Sequence, residues 1–178
     1  MAASKRLFFA LWPDADGRGQ LQARACDAVR LSRGRAMPAE AFHLTLAFLG
    51  EVDAETGRQL ITAAGGIKPF RCSVELDRLE FWSTPRVFVA AASACPPELE
   101  DLHAELWRLL GDCGFTPEAR RFRPHVTLAR KAQVNPNEPF KSVTWSVRGF
   151  VLLASESGAG GPHYSVLQGF AGATPGRA

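Results

Sequence analysis

Two short stretches of the sequence repeat the same pair of polar residues. His43 and Thr45 stand two positions apart in FHLTLAFLG, and His125 and Thr127 do so in PHVTLAR. Histidine gains or loses a proton near neutral pH, and a threonine hydroxyl both donates and accepts hydrogen bonds. Two such pairs supply an acid, a base and two ligands for phosphate oxygens, so they suit a phosphodiester without any metal.

Each motif predicts a strand with one polar face and one hydrophobic face, because residues two apart in a strand project from the same side. His43 and Thr45 would share one face, and His125 and Thr127 the equivalent face of the second strand. The opposite faces carry Leu44, Leu46 and Phe48 in the first motif and Val126 and Leu128 in the second. Burying the polar faces without partners would be costly, so both are predicted to line a groove.

The spacing of the two motifs predicts an internal duplication. They lie 82 positions apart, close to half of the 178-residue chain. A single His-x-Thr pair arises easily by chance, whereas two copies in the same H-[hydrophobic]-T-L-A setting favour a catalytic role. We therefore predict one domain over residues 1–178, made of two lobes related by a pseudo-twofold axis, with the two motif strands meeting across the groove.

Strand and helix patterns account for most of the remaining chain. Asp14 or Asp16 is predicted to cap a helix after the strand RLFFALW, and a second helix is predicted over 53–67. The third predicted helix, 96–115, repeats leucines at helical spacing, namely Leu99, Leu102, Leu106 and Leu109. Further predicted strands are CSVELDRLEFW (72–82), RVFVAAAS (86–93), SVTWSVRGFVLLASES (142–157) and HYSVLQGF (163–170).

Composition excludes several classes of protein. With 46% hydrophobic and 22% charged residues, the chain has an ordinary globular balance, and its apolar runs are too short for a membrane span. The apolar stretch near the N-terminus is too short for a signal peptide, so a cytoplasmic location is expected. The four cysteines form no C-x-x-C pair and are predicted to be free thiols. No carboxylate or thiol is spaced near either histidine, which disfavours a metal site.

At these residues the sequence resembles the two-histidine (2H) phosphoesterase superfamily, and within it the bacterial and archaeal RNA 2′,3′-cyclic phosphodiesterases, also called 2′-5′ RNA ligases. The resemblance covers nearly the whole chain. It rests on the paired H-x-T-x motifs in FHLTLAFLGEV (42–52) and RFRPHVTLAR (121–130), and on the flanking RLFFALWP (6–13) and LLASESGAGGPHYSVL (152–167).

The resemblance implies a two-lobed α/β (α+β) fold, with antiparallel sheets around a central groove and helices outside. It implies an enzyme without metal or cofactor that opens a terminal 2′,3′-cyclic phosphate of RNA to leave a 2′-phosphate, and that in some members joins 2′-5′ linkages without ATP. By the same resemblance His43 would be the general acid, His125 the general base, and Thr45 and Thr127 would steady the phosphate.

Other candidate residues are less clearly placed by the sequence. Arg130 is a candidate for binding phosphate, but strict alternation places it on the hydrophobic face, so either the strand ends before it or it is a surface cation. Phe9, Phe48 and Trp82 would offer stacking surfaces for a base, although their strand-like settings favour core positions. His103 lies off the leucine stripe of its helix and is interpreted as an exposed surface residue.

Two alternatives remain at this point. The first is a 2H enzyme that acts on another cyclic or 2′-5′-linked nucleotide. The second is a non-catalytic module that binds RNA or nucleotides in the same groove, although binding alone requires no acid and base pair. In the favoured reading the expected partner is an RNA or oligonucleotide with a 2′,3′-cyclic phosphate end. Nothing in the sequence calls for more than a monomer.

Overall fold

The computed structural model describes residues 4–158 and 161–173, which form ten strands and three α-helices. In chain order these are β1 (Lys5–Leu11), α1 (Ala15–Leu31), β2 (Arg35–Ala36), β3 (Leu44–Val52), α2 (Ala54–Ala64), β4 (Arg71–Leu76), β5 (Arg78–Trp82), β6 (Val87–Ala91), α3 (Pro97–Asp112), β7 (His125–Arg130), β8 (Val143–Arg148), β9 (Phe150–Gly158) and β10 (Gly161–Phe170). A short 3-10 helix, Ala39–Ala41, precedes β3.

The strands form two four-stranded antiparallel sheets and one antiparallel pair. The first sheet has the order β10-β9-β1-β3, the second has the order β2-β7-β6-β5, and β4 pairs with β8. Each larger sheet therefore contains one motif strand, and the two motif strands, β3 and β7, contact each other. The predicted class of antiparallel sheets combined with helices is confirmed, while the division of residues 1–178 into two pseudo-symmetric lobes stays a prediction.

The helices begin where the sequence predicts. The Asp14 side chain caps α1 by accepting a hydrogen bond from the Gly17 backbone N–H at 2.7 Å, and Asp53 caps α2 in the same way through Glu55 and Thr56. The buried stripe of α3 differs by one residue from the prediction, because Leu110 is buried and Leu109 only partly so. The buried set is Leu99, Leu102, Leu106 and Leu110.

Two predicted strands are each divided between two sheets. The stretch 72–82 breaks at Asp77, so that β4 pairs with β8 while β5 pairs with β6. The stretch 142–157 breaks at Gly149, whose φ of +74° turns the chain from β8 into β9. A left-handed backbone of this kind favours glycine. The alternation of apolar residues changes phase at both breaks, a sign that the prediction overlooked.

The core centres on β1, where Leu7, Phe8, Phe9, Ala10 and Leu11 are all at most 3% exposed. This strand lies between β3 and β9 and thereby anchors the first motif strand. The cysteines are free thiols, as predicted. Within residues 4–158 and 161–173, no helix combines the length and the apolar character needed to cross a membrane.

Candidate functional site

Both motif strands present their polar faces to one groove of about 890 Å³. His43 immediately precedes β3, and His125 is the first residue of β7. The neighbouring Leu44 and Val126 are fully buried, so each strand is held in the core by the residue next to its histidine. All five predicted site residues line the groove, namely His43, Thr45, His125, Thr127 and Arg130.

Each motif strand contains a β-bulge at the third residue after its histidine. Ala10 pairs with Thr45 and Phe9 pairs with Ala47, so Leu46 is an extra residue in β3. In the second sheet, Val89 pairs with Thr127 and Phe88 with Ala129, so Leu128 is the extra residue in β7. A bulge sets two residues of one strand against one residue of its partner and shifts the alternation by one position. The fifth residue after each histidine therefore turns toward the groove.

The bulge at Leu128 explains the position of Arg130. Arg130 is the last residue of β7, so the strand does not end before it, and it is an exposed residue that lines the groove. Its charge is one of the causes that lower the pKa of His43, although burial is the largest of them. Arg130 thus acts electrostatically on the histidine of the other sheet.

The bulge at Leu46 has the same effect on Phe48. We predicted this side chain on the hydrophobic face, but it is 48% exposed and lines the groove, with the Arg6 guanidinium 5.5 Å from its ring centroid. Trp82 was also predicted in the core and instead lies half-buried at the groove. Phe9, in contrast, is a fully buried core residue, as predicted.

Both catalytic candidates are oriented by the same backbone contact. The Nδ1 atom of His43 lies 2.8 Å from the Ala41 carbonyl oxygen, and Nδ1 of His125 lies 2.7 Å from the Arg123 carbonyl oxygen. A carbonyl can only accept, so Nδ1 carries the proton and donates it in both rings. The Nε2 atom of each ring is then the one free to take or give a proton in the groove.

Aromatic rings surround His43. Its ring is parallel to that of Trp12 within 8°, at a centroid distance of 6.1 Å, and the Tyr164 ring meets it edge-on at 5.0 Å. The Phe8 ring is 4.9 Å away. Burial among these rings lowers the pKa of His43 from 6.5 to about 4, opposed by the bond to the carbonyl and assisted by the charges of Arg130 and His125.

His125 has a more polar environment. The Trp82 ring lies 4.5 Å from its ring, and the indole N–H of Trp82 donates to Glu80 at 2.7 Å. Glu80 also accepts two hydrogen bonds from Arg123, at 2.7 and 2.9 Å. Because the carbonyl of Arg123 holds the His125 ring, Glu80 indirectly fixes the orientation of that ring. Burial lowers the pKa of His125, while the carboxylate of Glu80 acts against this shift.

Sequence reasoning missed the residues that hold the two histidines in place. Trp12 directly follows β1, Tyr164 lies in β10, and Glu80 contacts Arg123 from 43 positions away. The only tyrosine of the chain, Tyr164 in GPHYSVL, was the one residue that the sequence singled out, and nothing in the sequence indicated that it would contact His43. These contacts depend on which strands pair, and the motif itself does not specify that pairing.

Cations predominate around the groove. Among the described residues that line it, the only carboxylate is that of Glu118. A groove with this balance attracts an anion. The cationic residues are Arg6, Arg35, Arg120, Arg121, Arg123, Arg130 and Lys131. Across residues 4–158 and 161–173, no group of three or more His, Cys, Asp or Glu side chains is arranged to hold a metal ion.

Comparison with known proteins gives concordant results. The RNA 2′,3′-cyclic phosphodiesterase of Escherichia coli (strain K12) is 34% identical over 173 residues, covering 96% of this chain and 98% of that protein. The RNA 2′,3′-cyclic phosphodiesterase of Thermus thermophilus is 34% identical over 177 residues, covering 93% and 89% of the two chains. The crystal structure of E. coli LigT complexed with 3′-AMP matches the fold with a TM-score of 0.87 at 32% identity, over 94% of this chain and 98% of that one.

This structural match spans nearly all of both chains, and it confirms the 2H phosphoesterase fold predicted from the sequence. The sequence itself fits a family model, described as the 2′-5′ RNA ligase superfamily, over residues 18–159. That range contains both His-x-Thr pairs. The chain therefore belongs to the 2′-5′ RNA ligase superfamily.

Proposed function

We propose that this protein is an enzyme that hydrolyses RNA 2′,3′-cyclic phosphate ends to 2′-phosphomonoesters. One observation carries the proposal: two imidazole rings from two sheets enter one cationic groove, each with Nδ1 bonded to a backbone carbonyl and Nε2 free. A module that only binds RNA would not require two rings oriented in this way. Relatives named RNA 2′,3′-cyclic phosphodiesterase, one of them matched over 98% of its length, support the same reaction.

In the proposed reaction, water attacks phosphorus on the side opposite the 3′ oxygen. His125 is the general base and takes a proton from the water through Nε2. The bond between phosphorus and the 3′ oxygen breaks, and His43 gives its Nε2 proton to the leaving oxygen. The product has a free 3′ hydroxyl and a 2′-phosphomonoester, and at the end His125 carries one proton more and His43 one proton fewer than at the start. Exchange with solvent restores both rings.

Thr45 and Thr127 are proposed to donate hydrogen bonds to the two non-bridging phosphate oxygens. Each hydroxyl lies two positions after its histidine, on the groove side of its strand. Arg130 is proposed to neutralise the phosphate charge, which increases at the oxygens as the attacking water adds. This charge arrangement needs no metal or cofactor, and we propose that the enzyme uses neither.

The role of His43 as an acid depends on the bound substrate. With its pKa near 4, mainly because of burial, His43 is neutral at pH 7 in the free protein. A general acid must carry a proton before it donates one. The negative charge of a cyclic phosphate beside the ring favours the protonated form and raises the pKa. We therefore propose that substrate binding causes the protonation of His43.

The same groove is proposed to join RNA ends. If the 5′ hydroxyl of a second RNA takes the place of the attacking water, the 3′ oxygen leaves as before, a 2′-5′ phosphodiester is the product, each histidine keeps its role and no ATP is required. Cleavage of that 2′-5′ linkage is the reverse reaction, and in it the two histidines exchange roles. We also retain three predictions about the whole protein: a single domain over 1–178, a monomer and a cytoplasmic location. Light scattering of the purified protein tests the second of these.

The proposed function is tested with a short RNA that ends in a 2′,3′-cyclic phosphate, incubated with EDTA present. We expect turnover with a 2′-phosphomonoester as the sole product, identified by ³¹P NMR. A 3′-phosphate product would overturn the assigned bond cleavage, and loss of activity in EDTA that zinc or magnesium restores would overturn metal independence. No turnover by the folded protein on this RNA or on a panel of cyclic and 2′-5′-linked nucleotides would favour a binding module.

Replacing Arg130 with glutamine is expected to lower kcat/KM by about 100-fold, because one cation that stabilises the transition-state charge is lost. Since Arg130 lowers the pKa of His43, the substitution should also raise that pKa, which NMR titration of the imidazole measures. Arg58→Gln, an exposed arginine on α2, is the matched control and should change neither quantity. A loss of less than threefold would remove Arg130 from the proposed site.

A further inference from the structure

The groove extends well beyond the two catalytic candidates. At one end it is bounded by α3 and by the segment that leads into β7. We call this boundary the α3 rim and define it by His103, Trp107, Arg120, Arg121 and Phe122. The proposed reaction uses none of these side chains. The groove volume of about 890 Å³ is near the upper end of pockets that bury a small molecule, and it leaves room for more than one nucleotide.

Three rings of the α3 rim hold one another in fixed positions. The Phe122 ring stacks on His103, with 4.0 Å between centroids and 17° between planes. One turn along α3, the indole N–H of Trp107 donates a hydrogen bond to Nε2 of His103 at 3.1 Å. His103 is therefore half-buried in an aromatic cluster, contrary to the exposed position predicted, and burial lowers its pKa. A preformed set of partly exposed rings is suited to stacking against a nucleobase.

Two arginines lie beside this aromatic cluster. Arg120 pairs with Glu118 at 2.8 Å, and Arg121 pairs with Glu100 at 3.8 Å. The two arginine side chains are 76% and 88% exposed. Ion pairs at such exposed positions are weak, so these guanidinium groups can exchange a carboxylate for a phosphate at little cost. Stacking surfaces next to cations are the combination by which proteins bind single-stranded nucleic acid.

We propose that the α3 rim binds the nucleotide on the 5′ side of the terminal one, with its base on the aromatic rings and its phosphodiester at Arg120 and Arg121. The inference rests on the proposed function. A 2′,3′-cyclic phosphate ends the RNA chain, so the rest of the substrate extends only from the 5′ side of the terminal ribose. Any further nucleotide held in the groove during hydrolysis is therefore an upstream one.

The test compares two substrates, a nucleoside 2′,3′-cyclic phosphate and a tetranucleotide with the same terminal nucleotide and cyclic phosphate. The native protein is expected to favour the tetranucleotide by about tenfold in kcat/KM, from one stacked base and its phosphate. The double substitution Arg120→Gln/Arg121→Gln and the single substitution Trp107→Leu should each reduce this ratio to within twofold of one. For the arginine variant, the rate on the tetranucleotide should also become less sensitive to salt.

Arg108→Gln is the matched control, because Arg108 is an exposed arginine on the same helix, paired with Asp112, and it does not line the groove. It should preserve the native ratio. A native ratio near one, or an unchanged ratio in both rim variants, would overturn the upstream subsite even if hydrolysis is fast. Thermal unfolding of each variant checks that it is folded.

A binding measurement separates this inference from the proposed function. Fluorescence anisotropy with a labelled tetranucleotide bearing a 2′-phosphate requires no turnover. If the native protein hydrolyses neither substrate but binds this RNA about tenfold more tightly than the arginine double variant, the rim binds RNA and the proposed reaction is wrong. Equal binding by the native and variant proteins would overturn the rim itself.

Discussion

Replacing either His43 or His125 with alanine is expected to lower the rate of cyclic phosphate hydrolysis by about 10³-fold, because each ring supplies one of the two proton transfers. Each substitution leaves a backbone carbonyl without its donor, at a cost of about 1–3 kcal/mol, so thermal unfolding checks that each variant is folded. The measurement is the single-turnover rate on a short RNA with a 2′,3′-cyclic phosphate end. Single turnover isolates the chemical step from product release.

His163→Ala is the matched control for this pair of substitutions. His163 is an exposed residue of β10 and does not line the groove, so its loss should leave the rate within twofold of native. A loss of less than tenfold in either groove variant would contradict acid–base catalysis by the two histidines. Equal losses in all three proteins would indicate a general effect on folding.

The same variants also determine which histidine is the acid. If sulfur replaces the bridging 3′ oxygen of the cyclic phosphate, the leaving thiolate needs no proton, since a thiol has a far lower pKa than an alcohol. The variant that lacks the general acid should then recover most of its rate, and the variant that lacks the base should not. Recovery by His43→Ala supports the proposed order, and recovery by His125→Ala reverses it.

Replacing Gly149 with alanine is expected to destabilise the fold by about 3 kcal/mol or more. Gly149 has a φ of +74°, and a Cβ placed there would lie 2.2 Å from the Phe170 carbonyl oxygen and 2.3 Å from the Ala173 backbone nitrogen. These are main-chain atoms, so a rotamer change cannot relieve the clash. The free energy of unfolding from urea titration measures the effect.

Gly111→Ala is the matched control for this substitution. Gly111 lies in α3, and a Cβ there meets nothing within 4 Å. In a helix that change should stabilise the protein by about 0.5–1 kcal/mol, because alanine loses less backbone freedom on folding than glycine. A loss of under 1 kcal/mol for Gly149→Ala would mean that β9 and β10 can shift to accept the side chain.

The sequence predicted the parts of the fold that depend on local chemistry. Asp14, one of the two caps predicted for the first helix, caps α1 because a short acidic side chain before a helix satisfies free backbone N–H groups, and this needs no tertiary information. In the same way, His43 and Thr45 share one face of their strand, and so do His125 and Thr127, because the two-residue periodicity of a strand is a local property. The structure confirms both of these predictions. The overall fold was predicted from the resemblance to the 2H phosphoesterases, and it is confirmed as well.

What the sequence could not predict depends on pairing between distant strands. The bulges at Leu46 and Leu128 exist only relative to β1 and β6, and they decide that Phe48 and Arg130 face the groove. The contact between Glu80 and Arg123 indirectly orients His125. It likewise joins distant parts of the chain, namely β5 and the segment before β7. A bulge residue is extra only by comparison with the partner strand, so the alternation within one segment cannot reveal it.

The two bulges also make a repeated motif directional. Both motif strands bulge at the third residue after the histidine, and both turn the fifth residue toward the groove, so the fifth residues occupy matching positions of the two strands. They are a phenyl ring in Phe48 and a guanidinium in Arg130. A nucleotide has unlike ends too, a flat base and a charged phosphate. With its base at Phe48 and its phosphate at Arg130, the nucleotide would contact both residues, and in the opposite orientation it would lose both of these contacts. One difference between matching positions thus gives the groove a polarity, and we expect that polarity to favour one orientation of the bound nucleotide over the other.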